Sequence, residues 1–190
     1  GAVGSVTRTA TETQTAQLFA GVITSTNVFV IWNNVARDVT MSNHLSLIES
    51  ARLYAFLNAS MMDSLLSTQT GKFIYGLWRP ITGIRNADDD LNAATIEDAA
   101  WTPLLTTPPY PSYPGNMAGI GACAAEALAM GVGTDTYAFS ATWVGNNANP
   151  NVTRQYSSFS QLAREEADSR IYGGIHYRFD NEASQQACVR

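Results

Sequence analysis

Apolar residues recur at helical spacing along most of this chain, with polar or Pro-rich stretches between them. Positions 11–19 and 28–38 each carry the pattern and predict two helices. The strongest signal spans 42–67. There Leu45, Ile48, Ala51, Leu53, Ala55, Phe56, Ala59, Met62 and Leu66 mark one face, with Ser42 as the expected N-cap. The polar run at 67–71 predicts a break, followed by a helix carrying Lys72 and Arg79. Pro80 then disfavours helix in the residue before it. Positions 81–114 read as one long loop, ordered by Trp101 and its prolines. Helix is expected again at 115–130, crowded with Gly and Ala. Small residues let helices approach closely, so this segment belongs in the middle of a bundle. A loop at 134–157 contains the Asn-rich turn 146–151, and helices follow at 160–169 and 175–190. With no repeat and no internal boundary, the reading is all-α: one helical-bundle domain over 1–190.

Charge narrows the partners. The net charge is −5 with no run of Lys or Arg, which speaks against nucleic acid. The most apolar window, 18–32, is broken by Thr24, Ser25, Thr26 and Asn27, too polar for a bilayer span. Asp88, Asp89 and Asp90 lack the Gly and terminal Glu of a calcium loop and read as a solvated acidic turn. Trp78, Trp101 and Tyr113 are either core or walls of a cleft. Cys123 and Cys188 are either a disulfide or two buried thiols. Two glycosylation triplets, at Asn58 and Asn151, hint at secretion.

Taken alone, Lys72 reads as an ordinary surface lysine and Arg79 as a cation near a helix C-terminus; taken together, the basic residues offer a second reading. Lys72 and Arg79 sit seven apart, two turns along one expected helix face. His176 and Asp180 sit four apart, one turn along another. With Arg170, this makes three cations and an imidazole. Converging on one point, they form a pocket for a small oxyanion, the guanidinium forks and the ammonium each supplying donors. Asp180 either orients a neighbouring base or makes an ordinary salt bridge. His44, the other histidine, reads as structural or surface.

These residues resemble the conserved blocks of the vanadium-dependent haloperoxidase and type-2 acid phosphatase superfamily. Lys72, Arg79 and Pro80 match its Lys, six residues, Arg-Pro block. Ser169, Arg170 and His176 match its Ser-Arg, five residues, His block. The run His176-Tyr177-Arg178-Phe179-Asp180 is similar to that of soluble haloperoxidase-like members, and the likeness extends over at least 45–190. The middle block departs. Where the family reads Tyr-Pro-Ser-Gly-His, this chain reads Tyr113-Pro114-Gly115-Asn116-Met117. Read without a gap, Met117 replaces the acid/base histidine; with one deletion, Asn116 does.

The resemblance implies a helical bundle forming the C-terminal, active-site half of a longer protein. Some apolar surface should then want a partner, the N-terminal half or another copy. It implies vanadate, or phosphate in the same pocket. His176 would be the vanadium ligand and catalytic residue beside Lys72, Arg79 and Arg170. The side chains of Lys72, Arg79 and Arg170 and the backbone at Gly115 and Asn116 would hold the oxygens. The implied reaction is oxidation of halide by hydrogen peroxide, with a small organic substrate, weakened by the missing histidine. A phosphatase working through a phospho-histidine, and a non-catalytic oxyanion-binding or scaffold protein, are the alternatives. A secreted or periplasmic location is the accompanying expectation.

Overall fold

The computed structural model describes residues 1–188. Seven helices and one hairpin form the fold: α1 (Ala10–Phe19), α2 (Val28–Ser42), α3 (Leu47–Tyr75), α4 (Pro80–Arg85), α5 (Asn116–Val132), β1 (Thr136–Trp143), β2 (Val152–Ser158), α6 (Phe159–Tyr172) and α7 (Arg178–Gln186). A 3-10 turn, Ala87–Asp90, follows α4, and Asp88, Asp89 and Asp90 lie exposed on it. The expected last helix begins later than position 175, and its final two positions lie outside the described residues.

The centre of the bundle is α5, which packs against α3, α6, α7 and α2. Its small residues make this possible. A Cβ on Gly119 would come within 2.6 Å of Ser64 Oγ on α3, and one on Gly121 within 2.6 Å of Glu166 Oε2 on α6. Around it the core gathers Leu57 and Met61 of α3, Trp32 and Val35 of α2, Leu128 of α5, and Phe159 and Leu162 of α6. A disulfide joins Cys123 of α5 to Cys188 beyond α7, resolving the choice the sequence left open.

The expected loop at 81–114 opens instead with α4 and the 3-10 turn. Three further expectations need correction. First, 134–157 is not a loop. Strands β1 and β2 pair antiparallel, with Phe139 opposite Tyr156 and Trp143 opposite Val152. Phe139, Ala141 and Trp143 alternate inward against α2, a period-2 signal visible in the sequence.

Second, no break occurs at 67–71. Thr68 Oγ1 donates back to the carbonyls of Ser64 and Leu65, so its hydroxyl is satisfied inside the helix. Helix α3 runs 29 residues, about 43 Å at 1.5 Å per residue, from a Ser46–Glu49 capping box to Gly76. Gly76 closes it in the left-handed region at φ 59°. Ser42 ends α2 and caps nothing. Lys72 therefore sits in the last turn of α3, whereas Arg79 is the N-cap of α4, whose first residue is Pro80.

Third, the buried face of α3 is Leu53, Leu57, Met61, Ser64, Thr68 and Lys72. Most of the face marked by hydrophobicity points outward: Ile48 is 81 % exposed, Leu66 58 %, Met62 47 % and Phe56 44 %. A helix apolar on both sides belongs inside a larger assembly than one bundle. Among the described residues, no helix is long and apolar enough to cross a membrane.

Candidate oxyanion site

Four elements meet at one end of the bundle. Lys72 arrives on the last turn of α3, Arg79 on the cap of α4, and Arg170 on the last turn of α6. His176 follows Gly173 and Gly174, and Gly174 turns the chain at φ 73°. All four side chains are buried. Gly115 caps α5 beside them. A Cβ there would lie 2.7 Å from Asn181 Oδ1, which explains the glycine.

The imidazole is fixed by hydrogen bonds. His176 Nδ1 lies 2.8 Å from Asp180 Oδ2, which also accepts from Ser112 Oγ at 2.6 Å and from the Tyr177 amide at 3.0 Å. Nδ1 therefore carries the proton, and Nε2 presents its lone pair. Burial pushes His176 down to about 4, opposed by the Asp180 bond and aided by the Arg79 and Lys72 charges. It is neutral at pH 7, the form a ligand or nucleophile needs. His176 and Asp180 are not neighbours on one helix face, as the spacing suggested. His176 precedes α7, Tyr177 caps it, and Asp180 is the third residue of the helix, reaching back. Asp180 is fully buried.

The cations are held unequally. Lys72 Nζ donates to the carbonyls of Ser112 (2.7 Å), Pro114 (2.6 Å) and Pro111 (3.2 Å), which uses all three of its hydrogens. Lys72 thus braces the 111–114 loop rather than facing a ligand. Burial pushes its ammonium down to about 7, with the Arg79 charge adding to the effect. Arg79 Nε donates to Tyr110 O at 2.9 Å, and its Nη1 donates to Ile175 O at 2.7 Å and to His176 Nε2 at 3.0 Å. Arg79 Nη2 is a buried donor without a partner. Arg170 Nε reaches Ser169 Oγ at 3.0 Å, and Nη2 reaches Ala16 O at 3.3 Å. Burial lowers Arg170 to about 10, with Glu166 opposing.

Charge does not balance here. Against Lys72, Arg79 and Arg170 stand Asp180 and Glu166. Glu166 is fully buried, accepts from Trp32 Nε1 at 2.9 Å, and is raised to about 8 by burial. Mostly neutral at pH 7, it leaves Arg79 and Arg170 in excess over Asp180, with Lys72 adding about half a charge. An excess buried cation and an unpartnered guanidinium nitrogen fit an oxyanion, and a neutral Nε2 fits a vanadium centre. One adjustment is implied: Arg79 now occupies the Nε2 lone pair and must release it to a ligand.

At the start of α5, Gly115 N is already spent on Asp180 O at 2.9 Å, so donors there fall to Asn116 and the amides after it. Asn116 Nδ2 donates to Gln69 Oε1 at 2.9 Å, and its Oδ1 is buried without a partner. Met117 is half-buried and packs against the main core. Neither residue titrates. His44 sits exposed at the opposite end of α3, about 40 Å from Lys72 by helix rise, and does not replace the missing base. Ser112, Tyr110 and Gln69 are polar neighbours the motifs did not mark. The repeat of Tyr-Pro at 110–111 and 113–114 was the available signal for the loop.

The family model described as the VCPO second helical-bundle domain matches residues 52–190. No curated protein matches the chain. Among solved structures, a bacterial vanadium-dependent iodoperoxidase superposes with TM-score 0.74 and 27 % identity, over 93 % of this chain and 41 % of that one. A bacterial vanadium-dependent chloroperoxidase in its holo form gives TM-score 0.73 at 13 % identity, over 97 % of this chain and 43 % of that one, a likeness of fold. The chain therefore spans less than half the length of these relatives. On its matched span, its fold and its motif blocks, the chain belongs to the VCPO second helical-bundle family of the vanadium haloperoxidase superfamily.

Proposed function

We propose that this chain is the active-site half of a vanadium-dependent haloperoxidase-type protein that uses hydrogen peroxide to oxidise halide. The observation that carries the reading is the buried positive excess of Lys72, Arg79 and Arg170 around a neutral, Asp180-oriented His176. Vanadate, when bound, supplies a Lewis-acid centre that makes peroxide electrophilic toward halide. His176 Nε2 is the ligand atom. Asp180 and Ser112 hold the ring in the tautomer that frees it. Arg79 and Arg170, both buried, neutralise oxyanion charge where little solvent screens the pairing. Lys72 acts at one remove, adding charge and fixing the 111–114 loop that leads into α5. Asn116 contributes amide and carboxamide groups but transfers no proton. A missing acid/base group costs about 10²–10⁴-fold in rate.

The same gap weighs against a phosphatase, whose alkoxide leaving group needs a proton. A non-catalytic oxyanion binder is the second reading, favoured by the bond that already engages His176 Nε2 with Arg79. The apolar outer face of α3 supports an apolar partner, such as the part of the relatives' chains that this one does not span. The disulfide supports a secreted or periplasmic location.

The test is bromination of phenol red with orthovanadate, peroxide and bromide. Vanadate-dependent turnover lost in His176→Ala establishes the enzyme. Vanadate binding without turnover establishes the second reading.

A further inference from the structure

Among the described residues, the buried polar atoms left without a partner around Gly115 and His176 are mostly of one kind. Arg79 Nη2 is a donor, whereas Asn116 Oδ1, Asp180 Oδ1 and Asn181 Oδ1 are acceptors. The three acceptors belong to residues gathered at Gly115. Asn116 follows it in the chain, Asp180 O accepts its amide at 2.9 Å, and a Cβ on it would lie 2.7 Å from Asn181 Oδ1. Asp180 ties this group to the site, since its other carboxylate oxygen lies 2.8 Å from His176 Nδ1. A buried acceptor without a hydrogen is costly. An anion that brings only lone pairs satisfies Arg79 and leaves these oxygens unpaired. An anion that also carries an O–H can satisfy both kinds.

Asn116 is the member best placed to meet a ligand. It is the first residue of α5, beside the amides left free to donate there. Its Nδ2 donates to Gln69 Oε1 at 2.9 Å, and Gln69 stands three residues before Lys72 on α3. That bond fixes the carboxamide and turns its oxygen away from Gln69. Donors and one acceptor thus stand side by side at the helix start.

Building on the oxyanion reading of the same cluster, we propose that the site selects oxyanions that carry a proton, such as phosphate and vanadate, over those that do not, such as sulfate and molybdate. Asn116 Oδ1, pinned by Gln69, accepts the ligand's O–H, and Arg79, Arg170 and the α5 amides donate to its other oxygens. A carboxamide does not titrate, so the selection holds wherever the ligand keeps its proton. Cation charge alone gives no such preference, because it attracts any dianion of the same size.

At pH 8 phosphate is mainly the dianion that keeps one proton, alike to sulfate in charge and shape. Calorimetric titration of the full chain with each anion is expected to show phosphate binding about 10–100-fold tighter. Arsenate and selenate, a larger pair differing in the same way, should repeat the ratio. Asn116→Ala should bring the ratio close to one, chiefly by weakening phosphate; Ala is a good helix former, so α5 is kept. Asn116→Asp, which retains an acceptor, should weaken both anions and preserve the ratio. Gln69→Leu should lower it by freeing the carboxamide to turn its nitrogen inward. Equal affinities in the parent chain, or a ratio unmoved by Asn116→Ala, overturn the proposal and leave the oxyanion site standing. Failure of all four anions to bind overturns both.

Discussion

Replacing Glu166 by Gln should stabilise the protein, and increasingly so as pH rises. The carboxyl is completely buried, accepts one hydrogen bond from Trp32, and leaves Oε1 without a partner. Burial raises it to about 8 from an ordinary 4.5. A carboxyl raised on folding contributes its full stability below its unfolded pKa and loses it as pH climbs through the folded one. Between pH 4.5 and 8 the unfolded chain has released a proton that the native state retains, so stability falls with slope about 1.4 kcal/mol per pH unit. By pH 7 the loss is about 3 kcal/mol, to order of magnitude. Gln keeps an oxygen for Trp32 and does not titrate. Its buried amide nitrogen costs about 1–2 kcal/mol if it finds no acceptor. The net gain is about 1–2 kcal/mol at pH 7 and turns into a loss of about 1–2 kcal/mol at pH 4.5. Urea unfolding of both proteins from pH 5 to 9 measures it. Parallel pH profiles would falsify the argument, and with it the claim that a neutral Glu166 leaves the Arg170 side of the site uncompensated.

Other consequences are as direct. Asp180→Ala should weaken vanadate binding about 10–100-fold by freeing the imidazole tautomer, read by calorimetric titration. Loss of the disulfide in a Cys123→Ser, Cys188→Ser double variant should cost up to about 4 kcal/mol, from loop entropy over the 65-residue separation, measured by denaturant unfolding. Ile48→Lys with Leu66→Lys should reduce concentration-dependent association of the isolated chain in light scattering with little effect on stability, because both side chains are exposed. Unchanged association would mean that the outer face of α3 is not sticky.

The helical bundle was legible because period needs only local information, whereas the convergence of Lys72, Arg79, Arg170 and His176 came from the resemblance of the motif blocks, since the helix-face spacing held for neither pair. The roles of these four were not legible. Lys72 reads in sequence as a ligand-facing cation, yet three carbonyls of one loop consume its donors, and that loop is assembled only in three dimensions. For Asp180 the sequence left open an ordinary salt bridge or the orienting of a base, and its place as the third residue of α7, reaching back past the Tyr177 cap to His176, selects the second. Hydrophobicity misjudged α3 because the helix has two apolar faces, and period alone does not say which one this bundle covers. The hairpin was less legible: Phe139, Ala141 and Trp143 alternate, but β2 buries only Tyr156, so the second strand carries no matching period. Ser112 and Glu166 had no motif to announce them, and their significance is burial next to charge.

The central claim is that a buried cation cluster around neutral His176 binds an oxyanion. Calorimetric titration of the chain with orthovanadate tests it most directly, alongside Arg170→Gln and His176→Ala. The account predicts one saturable site per chain, weakened in both variants and competed by phosphate. No saturable binding to the folded chain, or binding indifferent to both substitutions, would contradict it.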